Sequence, residues 1–537
     1  MTKDSSRWPI GVCLLAPLLG MIKPVAGEEF RVLPYLQNPA GDAMTIRWFS
    51  ESDAAGSLSV AGQGINLTSQ PTATPTLAYH PAEVAASPIK TTPSAHSIRL
   101  TGLTPGTAYD YTVTQNGQTY SNTFRTAPAK TGPIRFVVYA DSETEPESTG
   151  KRADWTAPAN TARPAMFAGN YVVDQTEGYR QNLNAIASRN PDFVAVAGDL
   201  VESGGEQRDW DEFWKHNAGS YGNLASRTPI IAALGNHENY GGPGDLGGYS
   251  ADAANRATDK FLTYFDAPSN GAANVKHHGR YHRFDLGPIT YITVDSSDGG
   301  THGGANDTNH HLSGSNAPDY APGSDQHAWL QTQLADAEQT SKFTFVQFHH
   351  SPYSVGPHGL PAGTGTGQDP QSGVPMRELT PLFKQYGVDA VFSGHDEMYE
   401  HSLVDGIHFY DVGIGGDGLR APVDGLANAA QQFLTHKDSP EIWNGNVLVS
   451  GGKHYGHVEV NVFEENGVWK ARLTPVYVFP LMDVDGNVTA WERREHASDI
   501  VTLAVPEPGA LGMGLGGATY LFARRRRPAL RGCPFPV

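Results

Sequence analysis

The sequence predicts an all-β sandwich at the N-terminus followed by an α/β sandwich of the αββα kind. Three observations predict it. Residues 28–129 carry short β-patterned runs between Gly, Pro, Asn and Asp turns. Beyond them, near-continuous apolar runs alternate with stretches of helical spacing. Each of those apolar runs stops at polar residues able to hold a cation, where open α/β sheets place their ligands.

At ~100–200 residues per domain, 537 residues suit two to four domains. Lys and Arg number 38 against 56 Asp and Glu, a formal charge of −18, which argues against a nucleic-acid phosphate partner. Two cysteines, Cys13 and Cys533, exclude a disulfide scaffold and a zinc–thiolate cluster.

In chain order, residues 1–27 read as a secretory signal. Lys3 and Arg7 precede an apolar stretch from Pro9 to Ile22 and the small residues Ala26-Gly27. The stretch is too short and too broken for a span of ~20 residues. Residues 28–129 form the β-module, with strands over Met44–Phe49 and Ala108–Val113; Leu103–Tyr111 resembles a fibronectin type III strand corner. Residues 130–480 form the α/β body. Buried strands are expected at Ile134–Ala140, Phe193–Ala197, Pro229–Leu234, Phe343–Phe348 and Ala390–Ser393. Helices are expected at Tyr179–Ser188, Gln326–Glu338 and Met376–Tyr386. The long Asp295–Asp325 loop and Gly359–Gly373 suit a lid or rim. Residues 481–504 read as a linker.

Residues 505–537 begin with Val505-Pro506-Glu507-Pro508, continue through an apolar, Gly-rich stretch to Ala523, and reach Arg524–Arg527. This resembles a PEP-CTERM sorting tail. The resemblance implies transient membrane association through the tail, an exosortase-type sorting enzyme as partner, and export to the envelope, surface or matrix of a Gram-negative bacterium. Both cysteines then lie in segments expected to be removed.

The strand ends read Asp141-Ser142-Glu143, Gly198-Asp199-Leu200-Val201-Glu202, Gly235-Asn236-His237-Glu238, His349-His350-Ser351-Pro352 and Gly394-His395-Asp396-Glu397. One such end means little; five in order point to a pair of divalent cations about 3.5–4 Å apart, which need a bridging carboxylate and flanking ligands.

The set resembles the calcineurin-like metallophosphoesterases, and within them the purple acid phosphatase branch, over roughly Glu29 to Pro480. Val32–Pro39 followed by Met44–Trp48 is similar to the opening of that branch's β-domain. The resemblance implies an acid phosphatase-like hydrolase of small phosphate esters that works through water activated on the metals. It implies Asp199 as the bridge, and Asn236, His395 and one of His349 and His350 as the second metal's ligands. His-x-Pro spacing favours His350; the positions of Tyr353 and His358 favour His349, which is the preferred reading. His237 is expected beside the leaving group and His358 on the phosphate.

Three positions depart from the family. Glu143 stands where the diesterase branch has His, Glu202 where the purple branch has Tyr, and Glu397 where both have His; His401 also replaces a usual Arg. The first metal would then rest on Asp141, Asp199, Glu397 and either Glu143 or Glu202. Hard oxygen ligands suit Mn²⁺, Mg²⁺ or Ca²⁺, whereas Zn or Fe fits the His/Asn side. Without the Tyr, no tyrosinate–iron colour is expected. The alternative is a catalytically degenerate surface or matrix protein that keeps the fold and binds metal.

Overall fold

A computed structural model describes residues 29–506 apart from 85–90, 157–160, 300–303, 313, 364–366 and 436–439. The expected signal peptide and most of the sorting tail lie outside the described residues.

The N-terminal module is a sandwich of two four-stranded antiparallel sheets. One orders β1 (Phe30–Gln37), β2 (Ala43–Ser50), β6 (Ser94–Thr101) and β5 (Thr72–Ala73). The other orders β4 (Ile65–Ser69), β3 (Gly56–Val60), β7 (Ala108–Gln115) and β8 (Gln118–Arg125). Trp48, Leu58, Tyr111 and Val113 fill the space between them, as alternation along half-buried strands requires.

The body holds two seven-stranded sheets. Sheet I runs β13 (Ile230–Ala232), β12 (Phe193–Val196), β9 (Ile134–Tyr139), β23 (Gly456–Glu465), β24 (Val468–Met482) and β25 (Val488–Glu495), with β26 (Val501–Pro506) also on β24. Sheet II runs β14 (His282–Leu286), β15 (Ile289–Thr293), β16 (Phe343–His350), β17 (Ala390–Gly394), β19 (Ile407–Val412), β18 (Tyr399–Val404) and β20 (Gln431–Leu434). Two hairpins, β10 (Asp154–Trp155) with β11 (Gly169–Asn170) and β21 (Ile442–Asn444) with β22 (Val447–Ser450), flank them.

The inner faces meet through aromatic rings. Phe136 of sheet I lies 5.5 Å from Tyr291 and 5.1 Å from Phe345 of sheet II, ring centre to ring centre. Helices α1 (Gln175–Ser188) and α2 (Gln207–Ala218) cover the outer face of sheet I, with α3 (Ala251–Tyr264) beside them. Helices α4 (Asp325–Thr340) and α5 (Thr380–Gln385) cover sheet II. This is the expected αββα order. Local chemistry sets the helix starts: the Asp174 carboxylate accepts from the Glu177 N–H, and the Ser324 hydroxyl from that of His327.

The β-module docks on α2 and α3. The Tyr35 ring lies 4.4 Å from that of Trp214, and its hydroxyl donates to the Tyr264 carbonyl at 2.8 Å. Tyr111 donates to the Ser226 carbonyl at 2.7 Å.

Two sequence readings need correction. Residues 481–504 are not a linker: β25 and β26 both pair antiparallel with β24 and complete sheet I. The charges of Glu492–Glu495 suggest solvent, but they belong to an exposed-edge strand whose Arg493 reaches the buried Glu459 carboxylate at 2.8 Å. The Met376–Tyr386 helix is divided into a 3₁₀ segment, Val374–Leu379, and the short α5. Among the described residues, no helix is long and apolar enough to cross a membrane.

Candidate metal centre

The carboxyl ends of β9, β12 and β13, parallel in sheet I, face those of β16 and β17 in sheet II. This register brings Asp141, Asp199 and Asn236 opposite His349 and His395. The backbone is strained there. Asp141, Glu143, Asp199, His395 and Glu397 all have left-handed φ, from 35° to 81°. Non-glycine residues hold such angles where the surroundings over-determine them, commonly at functional sites.

Glu238 fixes the loops. Its carboxylate accepts from the N–H groups of Asp199 at 2.9 Å, Leu200 at 2.8 Å and Gly235 at 2.8 Å, tying the β12 and β13 ends together. Gly198, at φ 95°, passes close to His349; a Cβ there would lie 2.6 Å from the ring nitrogen Nδ1.

At one pole, four acceptor atoms converge. His349 Nε2 lies 2.9 Å from Asn236 Oδ1, 2.9 Å from Asp199 Oδ2 and 3.1 Å from His395 Nδ1. Carbonyl oxygens fix the tautomers. His349 Nδ1 faces the Ala197 carbonyl at 3.0 Å and His395 Nε2 the Gln371 carbonyl at 2.5 Å, so each of those nitrogens carries the hydrogen. The remaining imidazole lone pairs point at each other and at two oxygens. Burial and the neighbouring histidines hold His395 far below the ordinary range, as a neutral ligand. Burial alone would lower His349, yet Asp199 raises it to about 9. Burial would also raise Asp199, but His349 and His237 hold it below its ordinary value. A proton on His349 Nε2 answers only one of the three contacts; a cation answers all four atoms. The residues therefore fit a transition metal here.

The other pole is built from carboxylates. Glu143, Asp199 and His237 bring ligand atoms within 4.8 Å of one another, and so do Glu143, Glu202 and Asp417. Glu143 is raised far above its ordinary value by burial and then by Asp417, Glu397 and Glu202. Asp141 Oδ2 accepts from the His395 N–H at 2.8 Å, while its buried Oδ1 has no donor, and neither has Asp417 Oδ1. Burial first, then Asp199, pushes Asp141 up to about 7. Crowded, donor-starved oxygens of this kind fit a hard divalent cation.

The structure thus brings together Asp141, Glu143, Asp199, Glu202, Asn236, His237, His349 and His395. It leaves His350 beside the converging set but outside it: Nδ1 bonds the Ser296 hydroxyl at 2.9 Å, the ring lies 4.6 Å from that of His395, and of the adjacent pair it is His349 whose Nε2 meets Asn236, Asp199 and His395. Glu397 forms an ion pair with Arg420, and the charge of the buried Lys453 also acts on it. His237 donates from Nδ1 to the Glu202 carbonyl at 2.6 Å and turns Nε2 toward Glu143 and Asp199, 3.9 and 4.0 Å away. Burial lowers its pKa, but Asp199 and Glu202 outweigh this and leave it raised. His358 stacks on His395 at 3.8 Å between ring centres. His401 pairs with Asp499 at 2.7 Å, away from the centre.

The sequence reading that the Gly-rich Asp411–Asp417 segment packs beneath the metals agrees with the structure, but it gave Asp417 no ligand role and missed Arg420, Lys453 and the structural task of Glu238. The Gly413–Gly418 stretch carried the one available signal. It is drawn against the β9 end, where the Gly416 and Asp417 N–H groups donate to the Asp141 carbonyl, both at 3.0 Å.

This geometry has counterparts among known proteins. Residues 135–398 match the calcineurin-like phosphoesterase family, and residues 31–127 match the purple acid phosphatase N-terminal domain. Asp141, Asp199, Asn236, His349 and His395 all fall within the first of these matches, and the β-module corresponds to the second. Among individual relatives, an uncharacterized protein of Mycobacterium tuberculosis is 31% identical over 310 residues, 56% of this chain and 50% of that protein. Purple acid phosphatase 21 of Arabidopsis thaliana is 24% identical over 310 residues, 57% of this chain and 52% of that protein. The matched part spans about half the length of these curated relatives. Purple acid phosphatase PPD1 from yellow lupin (Lupinus luteus) seeds shares the fold, with a TM-score of 0.53 and 18% identity over 87% of this chain and 74% of that one.

Proposed function

We propose that this chain is an exported, binuclear metal-dependent hydrolase of small phosphate esters, acid phosphatase-like in its chemistry. The observation that carries the reading is the convergence of His349 Nε2, His395 Nδ1, Asn236 Oδ1 and Asp199 Oδ2 on one point. Asp199 would serve both cations, since it belongs both to that set and to the carboxylate group with Glu143. Zn or Fe suits the His/Asn pole; Mn²⁺, Mg²⁺ or Ca²⁺ suits the carboxylates. Bound cations would supply Lewis acidity and acidify a water near neutral pH.

The chain's own residues do the rest. Glu238 holds the Asp199 and Asn236 loops at a fixed distance. His237, steered by the Glu202 carbonyl and with its pKa raised by Asp199 and Glu202 against the effect of burial, would present Nε2–H to the leaving oxygen as a general acid. Export rests on the basic, apolar N-terminus and the Pro-Glu-Pro tail, which also motivate an exosortase-type partner and a transient membrane stage.

The test is hydrolysis of p-nitrophenyl phosphate and bis-p-nitrophenyl phosphate across added divalent metals, with Asp199→Ala and Asn236→Ala beside the parent. Metal-dependent turnover abolished by both substitutions is expected; turnover that survives them, or its absence under every metal, overturns the reading. Metal analysis and a visible spectrum accompany the assay. No purple band is expected, since Glu202 stands at the tyrosinate position.

A further inference from the structure

Arg420 stands at the rim of the centre, on the loop that follows Asp417. It follows Leu419, itself held at φ 64°, and its N–H donates to the Glu397 carbonyl at 3.0 Å. One arm of the guanidinium pairs with the Glu397 carboxylate; the other donates to His358 Nε2 at 3.2 Å. His358 Nδ1 in turn donates to Asp369 Oδ2 at 2.7 Å. Both ring nitrogens of His358 are therefore occupied, one as donor and one as acceptor, and the ring has no hydrogen left for a phosphate. Arg420 has: a guanidinium carries five N–H groups, and these contacts use two. The side chain is 41% exposed, against 4% for the Glu397 beneath it. His358, which braces it, stacks directly on His395, so the free N–H groups stand one ring away from the metal-ligand set.

We propose that Arg420 contacts the terminal oxygens of a phosphomonoester and selects dianionic monoesters over phosphodiesters. The inference rests on the hydrolase reading above. A guanidinium pairs two N–H groups with two charged oxygens. A monoester dianion offers those oxygens on the side away from the leaving group. A diester offers one charge, and an esterified oxygen occupies the place the second N–H would reach. The braces on Glu397 and His358 hold the fork in position before substrate arrives, so little rotamer entropy is lost on binding.

The experiment compares Arg420→Gln and Arg420→Lys with the parent chain, each carrying its measured metal complement. Steady-state kinetics are taken on p-nitrophenyl phosphate and bis-p-nitrophenyl phosphate, and inorganic phosphate is titrated as a competitive inhibitor. With R420Q, kcat/KM for the monoester is expected to fall roughly 10–100-fold, mostly through KM, and phosphate inhibition to weaken to match. The diester is expected to change at most about threefold by the same reasoning, and R420K to recover part of the monoester loss. Equal losses on both substrates, or no loss on the monoester, overturn the proposal. A parent chain that hydrolyses neither ester under any metal overturns the hydrolase reading instead, which separates the two failures.

Discussion

Glu238 shows how much of the centre rests on one side chain that touches no substrate. Its two oxygens take three backbone N–H groups from two different strand ends. Glu238→Gln keeps the shape but turns one oxygen into a donor, so at least one buried N–H loses its acceptor. A loss of about 1–3 kcal/mol in unfolding free energy is expected, read by chemical denaturation, with weaker metal retention. The histidine pair gives a sharper contrast. His349→Ala is expected to lose the metal of the His/Asn pole, whereas His350→Ala keeps it; metal stoichiometry after dialysis decides, and equal retention in both would refute the assignment. Successive residues of a strand point in different directions, so of the two adjacent histidines of β16 only one brings its Nε2 to Asn236 and Asp199. The sequence cannot say which, because both faces of β16 are buried. Asp199, Asn236 and His395 were legible because each follows a Gly at the end of an apolar run. The Asp411–Asp417 segment was legible only as Gly-rich packing near the centre; the role of Asp417 and the placement of Arg420 were not, since a Gly-rich loop has no period and its path depends on the tertiary contacts with Asp141 and Glu397.

At the scale of elements, the centre is a set of strand ends forced into left-handed turns. Gly198→Ala tests this directly. Its φ of 95° penalises any side chain, and the new Cβ would press on the His349 ring at 2.6 Å. Strain of roughly 1–3 kcal/mol is expected. The ring must also move off the point where Asn236 and Asp199 meet it, so metal affinity should fall more than melting temperature does. A variant that melts like the parent and binds metal equally well would show that the turn is not what positions His349. The buried strands β9, β12, β16 and β17 were readable because strands covered on both faces are apolar throughout. The edge strand β25 was not. Its residues are half-exposed and charged, and it is held by contacts no local pattern announces, such as the Arg494 guanidinium 3.4 Å from the Phe479 ring centre.

For the whole molecule, the distribution of histidines sets the response to acid. Outside the metal centre, burial holds His216 down to about 3 and His282, His454 and His496 down to about 4. A group whose folded pKa is depressed binds its proton more readily when unfolded. Its contribution is complete above the unfolded value of ~6.5 and is lost as pH falls from there toward the folded value, at about 1.4 kcal/mol per pH unit for each histidine. Buried carboxyls raised by desolvation, Asp209 and Asp411 among them, act in the opposite sense, so the net acid limb is a difference of large terms. A single substitution isolates one of them. His216 is buried on α2 between the rings of Tyr179 and Tyr221, each 4.9 Å away, and its Nδ1 has no partner. His216→Gln removes the titration while keeping a polar group of similar reach. The difference in unfolding free energy between parent and variant should be flat above pH 7. Below pH 6.5 it should drift in the variant's favour by about 1.4 kcal/mol per unit, levelling near pH 3. Denaturation curves at half-unit intervals of pH measure this. A difference that stays constant across the range would mean that His216 takes up its proton in the folded protein. The same reasoning bears on the proposed function: a hydrolase working in acid must offset these four histidines, and the raised carboxyls, together with cations that bind only the folded centre, act in that direction.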